Sequence, residues 1–153
     1  MKQETPKAVL ALCLGNICRS PIAEGLLRYH IQAHGLNIIV DSAGTSAYHA
    51  GEAPDSRSIR VMHQHGHDIG QQRSRQLCQA DFERFDLILA MDQSNYRNAI
   101  QLAPSPEAKT RVKLLLPNDQ EVPDPYYGGV NGFEKVYQMI DIAAAHWVSK
   151  WLD

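Results

Sequence analysis

The sequence has few cysteines and no long apolar run. Three of its 153 residues are cysteine, an odd and small number that argues against a disulfide framework and predicts a reducing, cytoplasmic location. No stretch approaches the ~18 consecutive apolar residues that a membrane helix needs, so we expect no insertion into a membrane. The apolar run at residues 8–12 follows Lys2 and Lys7 but is too short for a secretory signal peptide.

The sequence also has no excess of basic over acidic residues. Lysine and arginine number 15, aspartate and glutamate number 17, and the formal net charge is -2. Proteins that bind nucleic acids carry a basic patch, so we expect no nucleic-acid partner. The hydrophobic fraction of 44% is that of an ordinary globular protein, and we expect residues 1–153 to form one domain.

Four short apolar runs alternate with segments of helical periodicity. The runs, which we interpret as buried strands, lie at residues 8–12, 37–40, 85–91 and 111–116. Helices are predicted from Ser20 to Gly35, at residues 56–65 and 95–102, and from Phe133 to Trp151, with a loop at residues 41–55. Ser20 and Asp92 are predicted N-caps. This alternation predicts an α/β fold: a four-stranded parallel sheet with helices on both faces, in a flavodoxin-like three-layer sandwich.

A loop of sequence CLGNICRS follows the first predicted strand. Ligands of parallel sheets bind beyond the carboxyl ends of the strands, and the backbone N–H groups of a loop that enters a helix can surround a phosphate. Gly15 and Asn16 are residue types that tolerate the left-handed backbone of such a curled loop. The predicted phosphate-binding residues are Leu14, Gly15, Asn16, Ile17, Cys18, Arg19 and Ser20.

Three side chains of this loop indicate nucleophilic catalysis. Cys13 lies at the end of the strand, where the N–H dipoles and Arg19 favour its thiolate, the nucleophilic form. Arg19 presents a planar fork of donors that matches phosphate oxygens. Ser20 can offer its hydroxyl to the Cys13 sulfur, which would ease the later departure of the thiolate.

A second loop supplies a candidate general acid. Asp124 lies between two prolines after the fourth predicted strand, at the same edge of the sheet as Cys13. The prolines restrict the backbone on either side of its carboxyl group. Such an acid can protonate a departing phenolate. Tyr126 and Tyr127, with Tyr48 from the opposite loop, are predicted to form the walls of an aryl phosphate pocket.

The Cys-x5-Arg-Ser pattern of residues 13–20 and the Asp-Pro-Tyr-Tyr segment at 124–127 resemble the low-molecular-weight protein tyrosine phosphatases. The resemblance implies a phosphatase domain that hydrolyses phosphotyrosine through a phosphocysteine intermediate. It implies Cys13, Arg19 and Asp124 as catalytic residues, no metal and no cofactor. It also implies a tyrosine-phosphorylated protein as substrate, a tyrosine kinase among the candidates, and inorganic phosphate or vanadate as ligands of the site.

The similarity extends from Val9 to Trp151 and implies further roles. Residues 41–45 resemble a family segment whose serine supports the loop, so Ser42 is expected to hydrogen-bond to Asn16 in a network that includes Ser20. Cys18 is implied to be a resolving thiol that forms a reversible disulfide with an oxidised Cys13. One departure stands out: some members have a supporting histidine in the segment near Gln72, where this chain has Gln71 and Gln72.

Four other interpretations of the residues stay open at this stage. A protein arginine phosphatase on the same scaffold would have a threonine in place of Ile17. A thioredoxin-coupled arsenate reductase would need redox cysteines beyond Cys78, which we expect to be a buried side chain. A phosphotyrosine-binding module would lack one of the catalytic residues. The alternating histidines His63, His65 and His67 could suggest a metal site, although they share a face only on a strand.

Overall fold

Ten helices and strands make up the part of the chain that the computed structural model describes, residues 4–126 and 130–152. The strands are β1 (Ala8–Cys13), β2 (Ile39–Gly44), β3 (Leu87–Ala90) and β4 (Val112–Leu114). The helices are α1 (Arg19–Ala33), α2 (Ser56–Gln64), α3 (Asp81–Arg84), α4 (Gln93–Leu102), α5 (Pro106–Lys109) and α6 (Val130–Lys150). Within these described ranges, no helix is both long and apolar enough to cross a bilayer.

The four strands form one parallel sheet in the order β2-β1-β3-β4. The chain order changes direction at β1, and ligands of such sheets bind at this switch point, beyond the carboxyl ends of the strands. Cys13 is the last residue of β1 and pairs with Gly44 at the end of β2. The predicted flavodoxin-like α/β fold is confirmed, and the switch point coincides with the Cys13 loop, defined here as residues 13–20.

Helices cover both faces of the sheet because the side chains of β1 alternate between two apolar cores. Val9 and Ala11 lie in the core formed with α1 and α6, whereas Leu10 and Leu12 lie in the core formed with α3, α4 and α5. Every residue of β1 is buried, which explains why the sequence of this strand has no polar alternation. On the first face α1 packs against α6.

The second strand extends further along the chain than predicted. It spans Ile39–Gly44, so residues 41–44, predicted as part of a loop, pair with β1. The polar side chains of this stretch find partners elsewhere in the fold: Ser42 is buried and hydrogen-bonded, and Asp41 Oδ2 accepts from Arg75 at 3.0 Å. Because these partners are distant in sequence, local polarity indicated a loop where the structure has a strand.

The first helix begins without the predicted cap. It starts at Arg19, and its N-cap residue Cys18 makes no side-chain capping hydrogen bond. Ser20 therefore lies in the first turn, and its hydroxyl is directed at the Cys13 sulfur instead of a backbone N–H. The predicted end of this helix is confirmed, since Gly35 follows it with a left-handed φ of 68°.

The remaining elements depart from the predictions mainly at their ends. The prediction that Asp92 caps a helix is confirmed, because its side chain accepts from Asn95 N at 2.8 Å and α4 follows directly. Helix α6 begins at Val130, before the predicted start at Phe133. The sequence pattern does not predict α3 and α5, because one turn is too short to show helical periodicity.

Candidate active site

The Cys13 loop curls between β1 and α1 at the carboxyl edge of the sheet. Asn16 has the predicted left-handed backbone, with φ 58°, but Gly15 does not have a positive φ. Gly15 matters for space, because a Cβ atom there would lie 3.0 Å from Cδ2 of His49. Gly44 matters more, since a Cβ atom there would lie 2.7 Å from Leu14 O. The loop can thus fold onto the end of β2 only over a glycine.

The Cys13 thiol is buried and faces the Ser20 hydroxyl, with 3.0 Å between Sγ and Oγ. The Asn16 amide donates to Ser20 Oγ at 2.8 Å and to Ser42 Oγ at 3.0 Å, the contact that the resemblance implied. Because Ser20 accepts from Asn16, its single hydrogen is available to the Cys13 sulfur. The competing acceptor, Ala43 O, is more distant at 3.5 Å.

A buried carboxylate continues this network behind the loop. Ser42 Oγ donates to Glu24 Oε1 at 2.6 Å, and Glu24 Oε2 pairs with Arg28 at 2.8 Å. On the other side, Asn16 Oδ1 accepts from Arg75 N at 3.1 Å. The amide of Asn16 therefore has partners at both its donor and its acceptor, which holds its left-handed backbone in place.

Gln72, in the segment where the resemblance implied a supporting histidine, does not join this network. Its Nε2 donates to Pro21 O at 3.1 Å. Its Oε1 is buried and has no hydrogen-bond partner among the described residues. Ser74, two residues further along, donates to Gly15 O at 2.9 Å. The hydrogen bonds that support the Cys13 loop come instead from Glu24, through Ser42, and from the segment around residue 75.

Arg19 extends across the floor of the site and is 2% exposed. Its Nη1 donates to Asp92 Oδ2 at 2.7 Å and to Val122 O at 2.9 Å, and its Nη2 lies 3.8 Å from Asp124 Oδ2. Burial alone would lower the pKa of Arg19, but the charge of Cys13 and the hydrogen bond with Asp92 outweigh it and raise the pKa above its ordinary value. Arg19 therefore stays a cation in a buried position.

Asp92 is a site residue whose second role sequence reasoning missed. Its Oδ1 caps α4, and its Oδ2 holds the Arg19 guanidinium. The capping role can be predicted from local pattern alone, but the pairing with Arg19 spans 73 residues of sequence. Its position directly after β3, at the same sheet edge as Cys13, was the available signal.

The Asp124 loop, defined here as residues 121–126, runs along the same edge. Val122 N donates to Met91 O at 2.8 Å, which fastens the loop beyond the end of β3. Asp124 Oδ1 accepts from Tyr126 N at 3.0 Å, and the Asp124 side chain is 38% exposed. The structure thus places Asp124 beside Arg19, with its carboxyl group open to an incoming ligand.

One open cavity of about 400 Å³ joins the two loops. Cys13, Arg19 and Asp124 all line it, as do Tyr48 and Tyr126. The predicted loop residues that also line it are Leu14, Gly15, Ile17 and Cys18. Asn16, Ser20 and Ser42 are buried behind it. Tyr127, a predicted wall of the pocket, lies outside the described residues.

His49 also lines the cavity, and sequence reasoning missed it. Its ring centroid lies 4.8 Å from that of Tyr48 and 6.4 Å from that of Tyr126. Its Nδ1 is 3.0 Å from Glu52 Oε1. Nothing in the local sequence distinguishes this histidine from the others, so only the fold brings it to the cavity.

The cysteines near the site differ in their surroundings. Cys18 is buried, and burial together with the nearby charge of Asp55 raises its pKa to about 12. At neutral pH Cys18 is therefore an uncharged thiol. Cys78, which we expected to be buried, is exposed, because it lies in the irregular segment before α3.

Two of the alternating histidines, His65 and His67, contact Tyr137 of α6, and none of the three lines the cavity. The His65 ring stacks on Tyr137 of α6 at 3.8 Å, and its Nε2 lies 2.9 Å from Glu134 Oε1. His67 Nε2 lies 3.5 Å from the Tyr137 hydroxyl. Among residues 4–126 and 130–152, no group of three or more His, Cys, Asp or Glu side chains is arranged to hold a metal ion.

Known proteins are similar in sequence to this chain over almost its whole length. The sequence profile described as low molecular weight phosphotyrosine protein phosphatase matches residues 8–152. The human protein of that name is 41% identical over 145 residues, which are 90% of this chain and 91% of the human one.

Solved structures share the fold as well. A protein tyrosine phosphatase from Entamoeba histolytica, with Hepes in its active site, superposes with a TM-score of 0.88 at 38% identity, over 94% of this chain and 95% of that one. Wzb from Vibrio vulnificus, in complex with benzylphosphonate, superposes with a TM-score of 0.86 at 33% identity, over 94% and 98% of the two chains.

Proposed function

The chain belongs to the low molecular weight phosphotyrosine protein phosphatase family, and we propose that it hydrolyses phosphotyrosine in proteins through a phosphocysteine intermediate. The observation that carries the proposal is the cavity that Cys13, Arg19 and Asp124 line together. A nucleophile, a fixed cation and a carboxyl group around one space are the parts that transfer of a phosphoryl group to sulfur requires.

Substrate binding uses the backbone of the Cys13 loop and the Arg19 fork. The N–H groups of a loop that leads into a helix attract a phosphate dianion, and the helix dipole adds to the attraction. Arg19 Nη1 is held by Asp92 and Val122 O, so the rest of the guanidinium can pair with phosphate oxygens. Because these contacts hold the cation in place before the substrate arrives, little reorganisation accompanies the reaction.

In the first chemical step, the Cys13 thiolate attacks phosphorus and the bond to the tyrosine oxygen breaks. The electron pair of that bond goes to the phenol oxygen, which takes the proton of the Asp124 carboxyl group. The products of this step are phosphocysteine, a free tyrosine side chain and an Asp124 carboxylate. The mechanism assigns the positive charge of the site to Arg19 and the loop amides, and it uses neither a metal nor a cofactor.

In the second step, the Asp124 carboxylate takes a proton from a water molecule that attacks phosphorus. The sulfur–phosphorus bond breaks, inorganic phosphate leaves and Cys13 returns to the thiolate. The Ser20 hydroxyl, 3.0 Å from Cys13 Sγ, stabilises the negative charge that reappears on sulfur. Asp124 ends protonated, as it began, so the cycle balances.

The cavity favours a flat aryl group. Tyr48 and Tyr126 stand on its rim, and Ile17 contributes an aliphatic surface to its lining. An aromatic ring can pack against such walls, whereas a guanidinium would lose hydrogen bonds to water there. The benzylphosphonate bound by the Vibrio vulnificus relative is also an aryl compound. These features support phosphotyrosine over phosphoarginine as the substrate.

Replacement of the nucleophile tests the proposal. Cys13→Ser is expected to lower turnover of p-nitrophenyl phosphate and phosphotyrosine peptides by about 10⁴-fold or more, while phosphate and vanadate still bind. The matched control is Cys78→Ser, an exposed cysteine outside the cavity, and it should retain full activity. A loss of only about 10-fold in Cys13→Ser, or sensitivity of the wild type to EDTA, would contradict the mechanism.

A further inference from the structure

We propose that Arg57 positions the Asp124 loop over the Cys13 loop, and that it affects the reaction through Asp124 without touching the substrate. Arg57 lies in the first turn of α2, outside both loops, and the mechanism above assigns it no role. The inference rests on the proposed function, because its effect on rate requires Asp124 to be the general acid.

The guanidinium of Arg57 is fixed by one carboxylate. Asp55 Oδ1 accepts from Arg57 N at 2.8 Å and from Nε at 3.0 Å, and Asp55 Oδ2 accepts from Nη2 at 2.9 Å. A fork held at two nitrogens cannot rotate freely, so the plane of the cation is set. These hydrogen bonds also lower the pKa of Asp55 and raise that of Arg57, which keeps both groups charged.

The fixed cation lies over two aromatic rings. Arg57 Cζ is 4.6 Å from the centroid of the Phe133 ring and 5.5 Å from that of Tyr126. A cation at these distances over a ring face is attracted to the aromatic quadrupole. Phe133 is buried in α6, and Tyr126 ends the Asp124 loop. Arg57 therefore contacts the Asp124 loop and the helix that follows it at the same time.

The same turn of α2 is fastened to the Cys13 loop. Asp55 N donates to Ile17 O at 2.8 Å, and the buried Ser58 hydroxyl donates to Cys18 O at 3.2 Å. The start of α2 thus holds the Cys13 loop by its backbone and the Asp124 loop by Arg57. It fixes the distance between the nucleophile and the acid.

A shift of Tyr126 would also move the carboxyl group of the general acid, Asp124. Tyr126 N donates to Asp124 Oδ1 at 3.0 Å, so the residue whose ring Arg57 contacts also orients the carboxyl group. A general acid works only within hydrogen-bond reach of the leaving oxygen, and a misplacement of about 1 Å can cost about 100-fold in rate.

Arg57→Met tests this role, because methionine keeps an unbranched stem against the two rings but lacks the fork and the charge. On phenyl phosphate, whose leaving group needs a proton, kcat should fall by about 10- to 100-fold. On dinitrophenyl phosphate, whose leaving group does not, the loss should be several times smaller. KM and vanadate inhibition should be unchanged. Arg60→Met, at an exposed position of the same helix, is the matched control and should behave as wild type.

Combination with Asp124→Ala separates positioning from a direct role. If Arg57 acts only through Asp124, Arg57→Met should cause no further loss of phenyl phosphate turnover in the Asp124→Ala background. Losses that multiply would overturn the proposal. A loss confined to peptides with acidic residues, seen as a higher KM, would also overturn it, because it would make Arg57 a substrate contact.

Hydrogen exchange tests the positioning without any use of activity. The amides of Val122 and Tyr126 should exchange faster in Arg57→Met than in wild type, because the loop then opens more often. Asp55→Asn keeps a capping oxygen but removes the charge and the acceptor of Arg57 Nη2, so it should show the same change to a smaller extent. Unchanged exchange in both variants would overturn the proposal even if the wild type hydrolysed no aryl phosphate, so failure here is distinct from failure of the proposed function.

Discussion

The two loops that meet in the cavity are held in different ways. Behind the Cys13 loop, the side chains of Asn16, Ser20 and Ser42 are buried and hydrogen-bonded to one another. The Asp124 loop buries Val122 but leaves its acid open to solvent, since the side chain of Asp124 is 38% exposed. Its contacts to the rest of the fold include the hydrogen bond from Val122 N to Met91 O beyond the end of β3, the hydrogen bond from Arg19 to Val122 O, and the ring of Tyr126 under Arg57.

The difference follows from the two tasks that we propose. The site that binds a dianion and holds a thiolate gains most from dipoles that are fixed before the substrate arrives. The acid must approach the leaving oxygen, donate a proton and later face a water molecule, so it has to remain accessible. Substitutions in the buried network should therefore lower the turnover of every substrate by a similar factor. The loss of turnover caused by substitutions in the Asp124 loop should depend on the leaving group of the substrate.

After replacement of the nucleophile itself, the largest effect on turnover is expected from loss of the acid. Asp124→Asn, which keeps the shape but cannot donate a carboxyl proton, should lower kcat on phenyl phosphate by about 10²–10⁴-fold. On dinitrophenyl phosphate, whose leaving group needs no proton, the loss should be far smaller. Equal losses on the two esters would remove the distinction between the loops.

A smaller effect, without dependence on the leaving group, is expected from Asn16→Gly. Glycine keeps the left-handed backbone, but Ser20, Ser42 and Arg75 N lose their partner. We expect a loss of about 1–3 kcal/mol in the free energy of unfolding and similar losses of kcat on both esters.

Asn16→Ala separates the backbone from the side chain at this position. It removes the same amide but strains a φ of 58°, so it should be about 1 kcal/mol less stable than Asn16→Gly. Urea unfolding measures both differences. Stability of Asn16→Ala equal to that of Asn16→Gly would show that the backbone conformation carries no strain.

Acid should loosen the support of the Cys13 loop. Burial of Asp81 would raise its pKa, but hydrogen bonds from Arg75 outweigh this and lower it. A depressed folded-state pKa means that the stabilisation is complete above the unfolded-state pKa of about 4 and is lost as the pH falls below it. Arg75 carries the amide that holds Asn16, so the Cys13 loop should lose support in this pH window.

Asp81→Asn checks this dependence. The variant should be less stable than wild type by about 2 kcal/mol at neutral pH. The difference should shrink as the pH falls from about 5 to about 2. Unfolding curves measured across that range would contradict the expectation if the two proteins lost stability in parallel.

The smallest effect on turnover is expected from Cys18→Ser, although this residue lines the cavity. We propose Cys18 as the resolving thiol. Peroxide would oxidise the Cys13 thiolate to a sulfenic acid, and the Cys18 thiol would displace water to form a disulfide. The thiolate charge of Cys13 is one cause of the high pKa of Cys18, so oxidation of Cys13 removes part of the barrier to Cys18 reactivity.

Recovery from peroxide is the measurement for Cys18. Wild-type activity should return after treatment with dithiothreitol, whereas Cys18→Ser should stay inactive because Cys13 proceeds to irreversible oxides. Cys78→Ser, the exposed control, should recover as wild type does. Full recovery of Cys18→Ser would contradict the proposed role.

Sequence reasoning succeeded where the relevant partner is near in the chain or follows from strand order. The buried strand β1, the end of α1 at Gly35 and the cap at Asp92 are local patterns, and all three are present in the structure. Cys13 and Asp124 are 111 residues apart by their numbers, yet the rule for carboxyl edges of parallel sheets correctly predicted that they lie together.

It failed where a side chain is satisfied by a distant partner. Residues 41–44 have the composition of a loop, but they pair with β1 as a strand, and Glu24 and Asn16 satisfy the buried hydroxyl of Ser42. Serine is a common N-cap residue, but the hydroxyl of Ser20 faces the Cys13 sulfur and does not cap α1. In each case a hydrogen bond across the fold outweighs the local preference of the residue.

The sequence by itself determined the parallel α/β sheet, the loop that leaves its first strand and the family of the chain, because apolar periodicity and short motifs are local. Only the tertiary structure decided how that loop is held: by Gly44 beneath it, by Glu24 and Arg75 behind it, and by Asp92 on Arg19. The physical reason is that a buried polar group needs a hydrogen-bond partner. Which group lies within about 3 Å of it depends on tertiary packing, which local sequence patterns do not contain.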